Sequence, residues 1–141
     1  NMEDVLQIRE ALDDLAVQVA CDKMTQEQLE TLALTKMNFE NAIQAGNLKK
    51  IVEYDVEFHD IIYEATDNPK LVAMLNNLRE QIYRYRVEYL KEKENYPRLI
   101  QEHEAIVNAL RKKDKNGVTY VMRCHIRNQA ETVKAIIREQ V

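Results

Sequence analysis

Apolar residues recur at three- and four-residue steps along nearly the whole chain, and the breaks between these runs carry helix caps and turns. Six helices follow from the pattern. The first spans about Val5 to Met24, with Val5, Ile8, Leu12, Leu15, Ala16 and Val19 as its apolar stripe. Thr25 caps a second, because its hydroxyl can accept from the amide three residues on while Gln28 reaches back to close a capping box. That helix stops near Gly46, and Asn47 caps a third running to about Asp67. Asn68-Pro69 then puts a cap residue before a proline suited to the first position of a fourth, long helix that reaches about Lys93. A fifth runs from Pro97 to near Lys113, and Asp114 to Gly117 supplies the turn into a sixth that continues to the end. Short connections throughout predict an all-α antiparallel bundle of about six helices, one domain over 1–141.

Composition narrows the picture without changing it. With 2 Gly and 2 Pro in 141 residues there is little material for hairpins or barrel corners. No run of about 18 apolar residues exists and the amino end lacks a leader pattern, so a soluble, cytoplasmic protein without membrane contact is expected. Cys21 and Cys124 are too few for a disulfide framework or a zinc ribbon and are expected to be reduced. Asn1 ahead of Met2 is compatible with a residue left by cloning, in which case the natural chain extends further upstream. A net charge of -4 gives no general attraction to nucleic acid. Charge is uneven, however, with 5 basic and 15 acidic side chains over 1–67 against 15 and 9 over 68–141. Oppositely charged helices facing each other account for that split, and a basic lining for an anionic ligand is the sharper alternative.

The candidate chemistry comes from polar side chains standing where the helix period calls for apolar ones. On the third helix the stripe reads Ile51, Val52, Asp55, Phe58, His59 and Ile62, so Asp55 and His59 lie one turn apart on the core face. On the fifth it reads Leu99, Ile100, His103, Ile106, Val107 and Leu110, and on the sixth Val118, Val121, Met122, His125, Gln129 and Val133. All three histidines therefore occupy core positions, each on a different helix except that His59 shares its own with Asp55. Any one of them alone reads as a hydrogen-bonded core histidine. A buried carboxylate costs several kcal/mol, on the order set by lost hydration, unless a cation or several donors meet it. One Asp and three His converging from three helices would offer a divalent cation one negative charge and three imidazole nitrogens. That ligand set suits zinc, nickel, iron or manganese, with zinc placed first.

The Asp-x-x-x-His of Asp55 and His59, the Glu-His-x-x-Ile of Glu102 to Ile106, the Met-Arg-x-His of Met122 to His125 and the Ile-Arg-x-x-Leu-Asp of Ile8 to Asp13 occur here in one helix order. Together they resemble the FadR C-terminal (FCD) domain of GntR-family transcription regulators over essentially the whole chain. The resemblance implies that Asp55, His59, His103 and His125 hold a divalent metal, and that a small carboxylate effector or water completes its coordination. It implies arginines from the first and fourth helices for the effector: Arg9, and one among Arg79, Arg84 and Arg86, which spacing does not separate. It implies a homodimer formed through the first and fourth helices. It further implies operator DNA bound by a winged helix-turn-helix domain preceding residue 1, and not by this chain itself. Tyr83, Tyr85 and Tyr89 are expected in core or dimer packing.

An enzyme is the main competing class, since three histidines and a carboxylate around a metal can activate water. Against it, HExxH is absent, no histidine follows a Glu by three residues, and there is no phosphate loop or nucleophile elbow. A metal-free helical interaction domain is the other alternative.

Overall fold

The computed structural model describes residues 2–139; Asn1, Gln140 and Val141 lie outside them, as does the expectation that the last helix runs to the final residue. Among the described residues there are seven α-helices and no strand. They are α1 (Met2–Lys23), α2 (Gln26–Ala45), α3 (Leu48–Glu64), α4 (Pro69–Asn77), α5 (Arg79–Leu90), α6 (Tyr96–Arg111) and α7 (Lys115–Glu139), with a 3-10 turn at Lys93–Asn95 ahead of α6. The all-α bundle is as expected.

Caps do what the sequence asks of them. Thr25 Oγ1 accepts from the Gln28 amide at 3.1 Å and Gln28 Oε1 accepts from the Thr25 amide at 2.9 Å, closing the capping box of α2. Asn47 and Asn68 each accept from the amide three residues on, at 3.2 Å, and Pro69 takes the first position of α4. Gly46 ends α2 in the left-handed region at φ 66°, where a side chain is strained.

Three expectations need correction. The long fourth helix is two, α4 and α5, broken at Leu78, whose amide donates to Leu75 and so tightens the turn to three residues. Neither proline nor glycine stands there; Asn76 and Asn77 are weak helix formers, and Asn76 Oδ1 accepts from Arg79 Nε at 3.1 Å across the break. The turn before the last helix falls at Lys112 and Lys113, the latter at φ 54°, and Asp114 to Gly117 are its cap and first turn. Asp114 Oδ1 accepts from the Gly117 amide at 3.0 Å, and its carboxylate lies where a Cβ at Gly117 would sit. On α1 the apolar stripe holds only in part, at Val5, Leu12 and Ala16. Ile8 and Leu15 are 47% exposed, while Arg9 and Asp13 face the interior with Val5, Leu12, Ala16 and Val17.

Helix α1 packs along α7, α2 against α3 and α6, and α6 against α7. The charge split along the chain is met largely by pairing. Lys115, Arg123 and Arg127 of α7 pair with Asp22, Asp14 and Glu10 of α1, descending one helix as they climb the other, which is the register of an antiparallel pair. Three apolar clusters make the core: one around Val17, Leu32, Phe58, Ile106 and Met122, a second around Phe39, Ile51, Tyr89 and Leu99, and a smaller one joining Leu12, Ala16 and Tyr63 to Leu71 and Leu75 of α4.

Candidate metal centre

The polar interior lies between the first two apolar clusters, with Phe58 from one and Phe39 from the other against the same imidazole. The His103 ring stacks on Phe58 at 4.2 Å between centroids and meets Phe39 at 4.6 Å. Helical spacing turns Asp55 and His59 of α3 to one face, and α6 and α7 bring His103 and His125 against them. All four are 0% exposed. One nitrogen from each of His59, His103 and His125 lies within 4.8 Å of the others, so the three could together hold a metal ion. Asp55 Oδ1 stands 3.2 Å from His103 Nε2 and 3.9 Å from His59 Nε2, and the Nε2 atoms of His59 and His125 are 3.4 Å apart.

Hydrogen bonding within this group is incomplete. Nδ1 of His59 and Nδ1 of His103 are buried without a partner, and the two oxygens of Asp55 are met only by the ion-pair contacts of His103 Nε2 and of Arg86 Nε, without well-aligned hydrogen bonds. Buried polar atoms are normally paired, so the two imidazole Nδ1 atoms left with no partner and a carboxylate met only by ion-pair contacts mark a place where another group could belong. Burial pushes the His59 imidazole well below its ordinary pKa and lowers that of His103, against the upward pull of Asp55, which leaves both rings neutral with lone pairs to offer. Burial pushes the Asp55 carboxyl up, but its contact with His103 and the charges around it outweigh that, and it is held well below the usual carboxylate range. Neutral imidazoles beside an ionised carboxylate are the protonation states that metal ligation requires.

Among the fourth-helix arginines, the tertiary fold distinguishes what spacing could not. Arg86 of α5 turns inward, and its Nε lies 2.8 Å from Asp55 Oδ2. Arg79 is exposed and holds Asp60 through both terminal nitrogens, at 2.9 and 3.3 Å, while Arg84 is exposed. Arg9 of α1 is buried. Its Nε donates to Asp13 Oδ2 at 3.2 Å, its Nη1 to Gln129 Oε1 at 2.8 Å, and its Nη2 has no partner. Burial opposes its charge, but Asp13 more than offsets this and raises its pKa. Tyr63 donates to the other oxygen of Asp13 at 2.6 Å. Tyr89 is buried, Tyr85 half-buried and Tyr83 exposed.

Residues 4–128 match the FCD domain. The chain belongs to the FCD domain family. Its relatives include an uncharacterised HTH-type transcriptional regulator, YdhC of Bacillus subtilis, 23% identical across 99% of this chain and 62% of its own length. The HTH-type transcriptional repressor NanR of Cronobacter sakazakii is 29% identical across 95% of this chain and 52% of its own length. The HTH-type transcriptional repressor RspR of Escherichia coli is 25% identical across 94% and 58%. This FCD domain thus spans between about half and three-fifths of the length of the curated relatives it matches. Two solved structures share the fold. E. coli McbR/YncC superposes with a TM-score of 0.84 at 19% identity over 96% of this chain and 65% of that one, and Streptococcus agalactiae GntR with 0.72 at 22% over 89% and 56%. These relatives are transcription regulators, and among the described residues no helix of this FCD domain is long and apolar enough to cross a membrane.

Sequence reasoning did not reach Asp13, Tyr63 or Glu102 as parts of this network. Asp13 stands four residues after Arg9, a readable pairing signal, but nothing local says that the pair points inward. Glu102 stands beside His103 in the chain and bonds instead to His125 on the next helix.

Proposed function

We propose that this FCD domain is the metal-dependent sensor of a small carboxylate, within a cytoplasmic transcription regulator whose DNA-binding head precedes it. The observation that carries the reading is the convergence of one nitrogen each from the buried His59, His103 and His125, within 4.8 Å of one another, beside the buried Asp55 carboxylate. These four residues would hold a divalent ion, zinc ahead of nickel, iron or manganese. When bound, such an ion supplies a fixed positive centre able to take a carboxylate oxygen. Asp55 contributes the negative charge that makes the site selective for a cation, and the two lowered imidazole pKa values keep lone pairs available at neutral pH.

Arg86 and Arg9 complete an anion-binding wall. Arg86 lies against Asp55, and Arg9 has one buried terminal nitrogen to spare. A guanidinium stays charged when buried and matches a carboxylate through paired N–H groups. Arg79 borders the same small cavity as Arg86 and Tyr63 but is held there by Asp60, and Arg84 is exposed. Because α1, α3, α5, α6 and α7 each place a side chain at or beside the cluster, a ligand there ties together helices that otherwise meet through side-chain packing. Such a ligand shifts the molecule only by its differential affinity for two arrangements. Those arrangements would be of a homodimer, with exposed Ile8 and Leu15 of α1 and Tyr83 of α5 available to its interface. Operator DNA would be bound by the missing winged helix-turn-helix head, and no chemical step is assigned to this domain.

Elemental analysis of protein purified without metal resin or chelator tests the reading. About one metal per chain is expected, with small mono- and dicarboxylates and sugar acids raising the melting temperature of the loaded form. No metal retained after incubation with zinc, nickel and manganese, followed by desalting, would overturn it.

A further inference from the structure

Of the three clustered histidines, His125 alone has partners on both ring nitrogens. Its Nδ1 lies 2.8 Å from Glu102 Oε1, and its Nε2 faces Gln129 Nε2 at 3.2 Å. The other oxygen of Glu102 accepts from Asn128 Nδ2 at 2.7 Å, one helical turn below Glu102's contact with His125. At the far end, Gln129 Oε1 accepts from Arg9 Nη1 at 2.8 Å. Arg9, Gln129, His125 and Glu102 thus form one continuous chain of polar contacts running from α1 through α7 to α6.

The two ends of that chain fix its direction. A guanidinium only donates, so Gln129 must present its oxygen to Arg9 and its NH2 to His125. An ionised carboxylate only accepts, so His125 must present N–H at Nδ1 to Glu102. The imidazole is therefore neutral, with its proton on Nδ1 and its lone pair on Nε2, the nitrogen that stands 3.4 Å from His59 Nε2. No equivalent partner orients His59 or His103, whose Nδ1 atoms are both unpaired.

We propose that Glu102 is a positioning residue for the metal site. It holds His125 in the Nδ1–H tautomer and so aims the Nε2 lone pair into the cluster, while Asn128 holds Glu102. The proposal rests on the metal-binding reading above. An acceptor behind a ligating imidazole fixes its tautomer and ring orientation, and loss of such a partner costs about 10–100-fold in metal affinity. Direct contact between Gln129 and His125 Nε2 adds a consequence. An ion bound at Nε2 replaces that amide as the partner of the lone pair, so Gln129 is the residue through which occupancy of His125 reaches Arg9 on α1.

The test combines long-range 1H–15N NMR of the histidine rings in metal-free protein with zinc titration against a competing chelator. In the wild type His125 is expected as the Nδ1–H tautomer. Glu102→Ala should mix the two tautomers and weaken zinc binding about 10–100-fold. Glu102→Gln, which keeps an oxygen facing Nδ1, should retain the tautomer and restore most of the affinity, and the neighbouring exposed Glu104→Gln should change neither. An Nε2–H tautomer in the wild type overturns the proposal without any variant. So does unchanged zinc affinity in Glu102→Ala, or a Glu102→Gln protein that keeps the tautomer yet binds as weakly as the alanine variant, since charge rather than orientation would then be the cause. Absence of zinc binding by the wild type would instead overturn the metal reading, while the tautomer measurement would still decide whether Glu102 positions the ring.

Discussion

Arg9 and Asp13 are charged, buried and satisfied almost entirely by each other, Tyr63 and Gln129. A pair of this kind is weak evidence for stability as such, because removing two charges from water costs several kcal/mol on the order of what their attraction returns. Breaking it is another matter. Asp13→Ala leaves the Arg9 cation and the Tyr63 hydroxyl without their acceptor and should destabilise the domain by about 3–5 kcal/mol in urea denaturation. The double change Arg9→Met with Asp13→Leu should recover most of that loss, and a double variant as unstable as the single one would show that the pair matters through shape rather than charge. His103→Ala separates function from folding at the same scale. Zinc affinity should fall by more than the roughly 100-fold associated with outer partners, while the helical circular dichroism persists; unchanged affinity would remove His103 from the ligand set.

Helix ends and helix registers were legible to different degrees. Capping depends on a side chain and an amide three residues apart, so Thr25, Asn47 and Asn68 could be read directly, and Thr25→Ala should cost about 1 kcal/mol in thermal or urea unfolding. The break at Leu78 was not legible, because Asn76 and Asn77 weaken a helix without stopping it. Its outcome depends on where the two halves can pack: Leu71 and Leu75 of α4 lie against Leu12 and Ala16 of α1, whereas Ile82, Arg86 and Tyr89 of α5 are buried beyond the break. The α1 stripe was legible only in part, at Val5, Leu12 and Ala16, for a related reason. Ile8 and Leu15 satisfy the helical period, yet the face they mark is left in solvent so that Arg9 and Asp13 can reach Gln129 and Tyr63. The exposed ion pairs between α1 and α7 should matter little individually. Arg127→Ala is expected to change stability by less than about 1 kcal/mol at physiological salt.

For the whole molecule, the polar cluster lies where two apolar clusters meet, and this couples folding to protons and to metal. Burial lowers the pKa values of His59 and His103 below that of an unfolded histidine, about 6.5. Below that pH the unfolded chain takes up protons that the folded one refuses, so the metal-free domain should lose stability as pH falls through about 6.5 and onward. Chemical denaturation across pH 5 to 8 checks the sign, and a stability that rises on acidification would contradict it. An ion that binds only the folded state should raise stability by about 2.7 kcal/mol at a free concentration 100 times its Kd, so zinc should raise the melting temperature and a chelator reverse the gain.

The all-α class, the caps and the inward faces of α3, α6 and α7 were determined by the sequence alone, because each depends on residues within a turn or two of one another. The same local period put Asp55, His59, His103 and His125 on core faces before any packing was known. Tertiary structure decided which way α1 turns, where the long fourth helix breaks, that Arg86 rather than Arg79 or Arg84 faces Asp55, and that Glu102 bonds to His125. Each of these is a contact between residues on different helices. Its free energy depends on burial and on the direction of a donor or acceptor across the bundle, and neither quantity exists until the helices have packed.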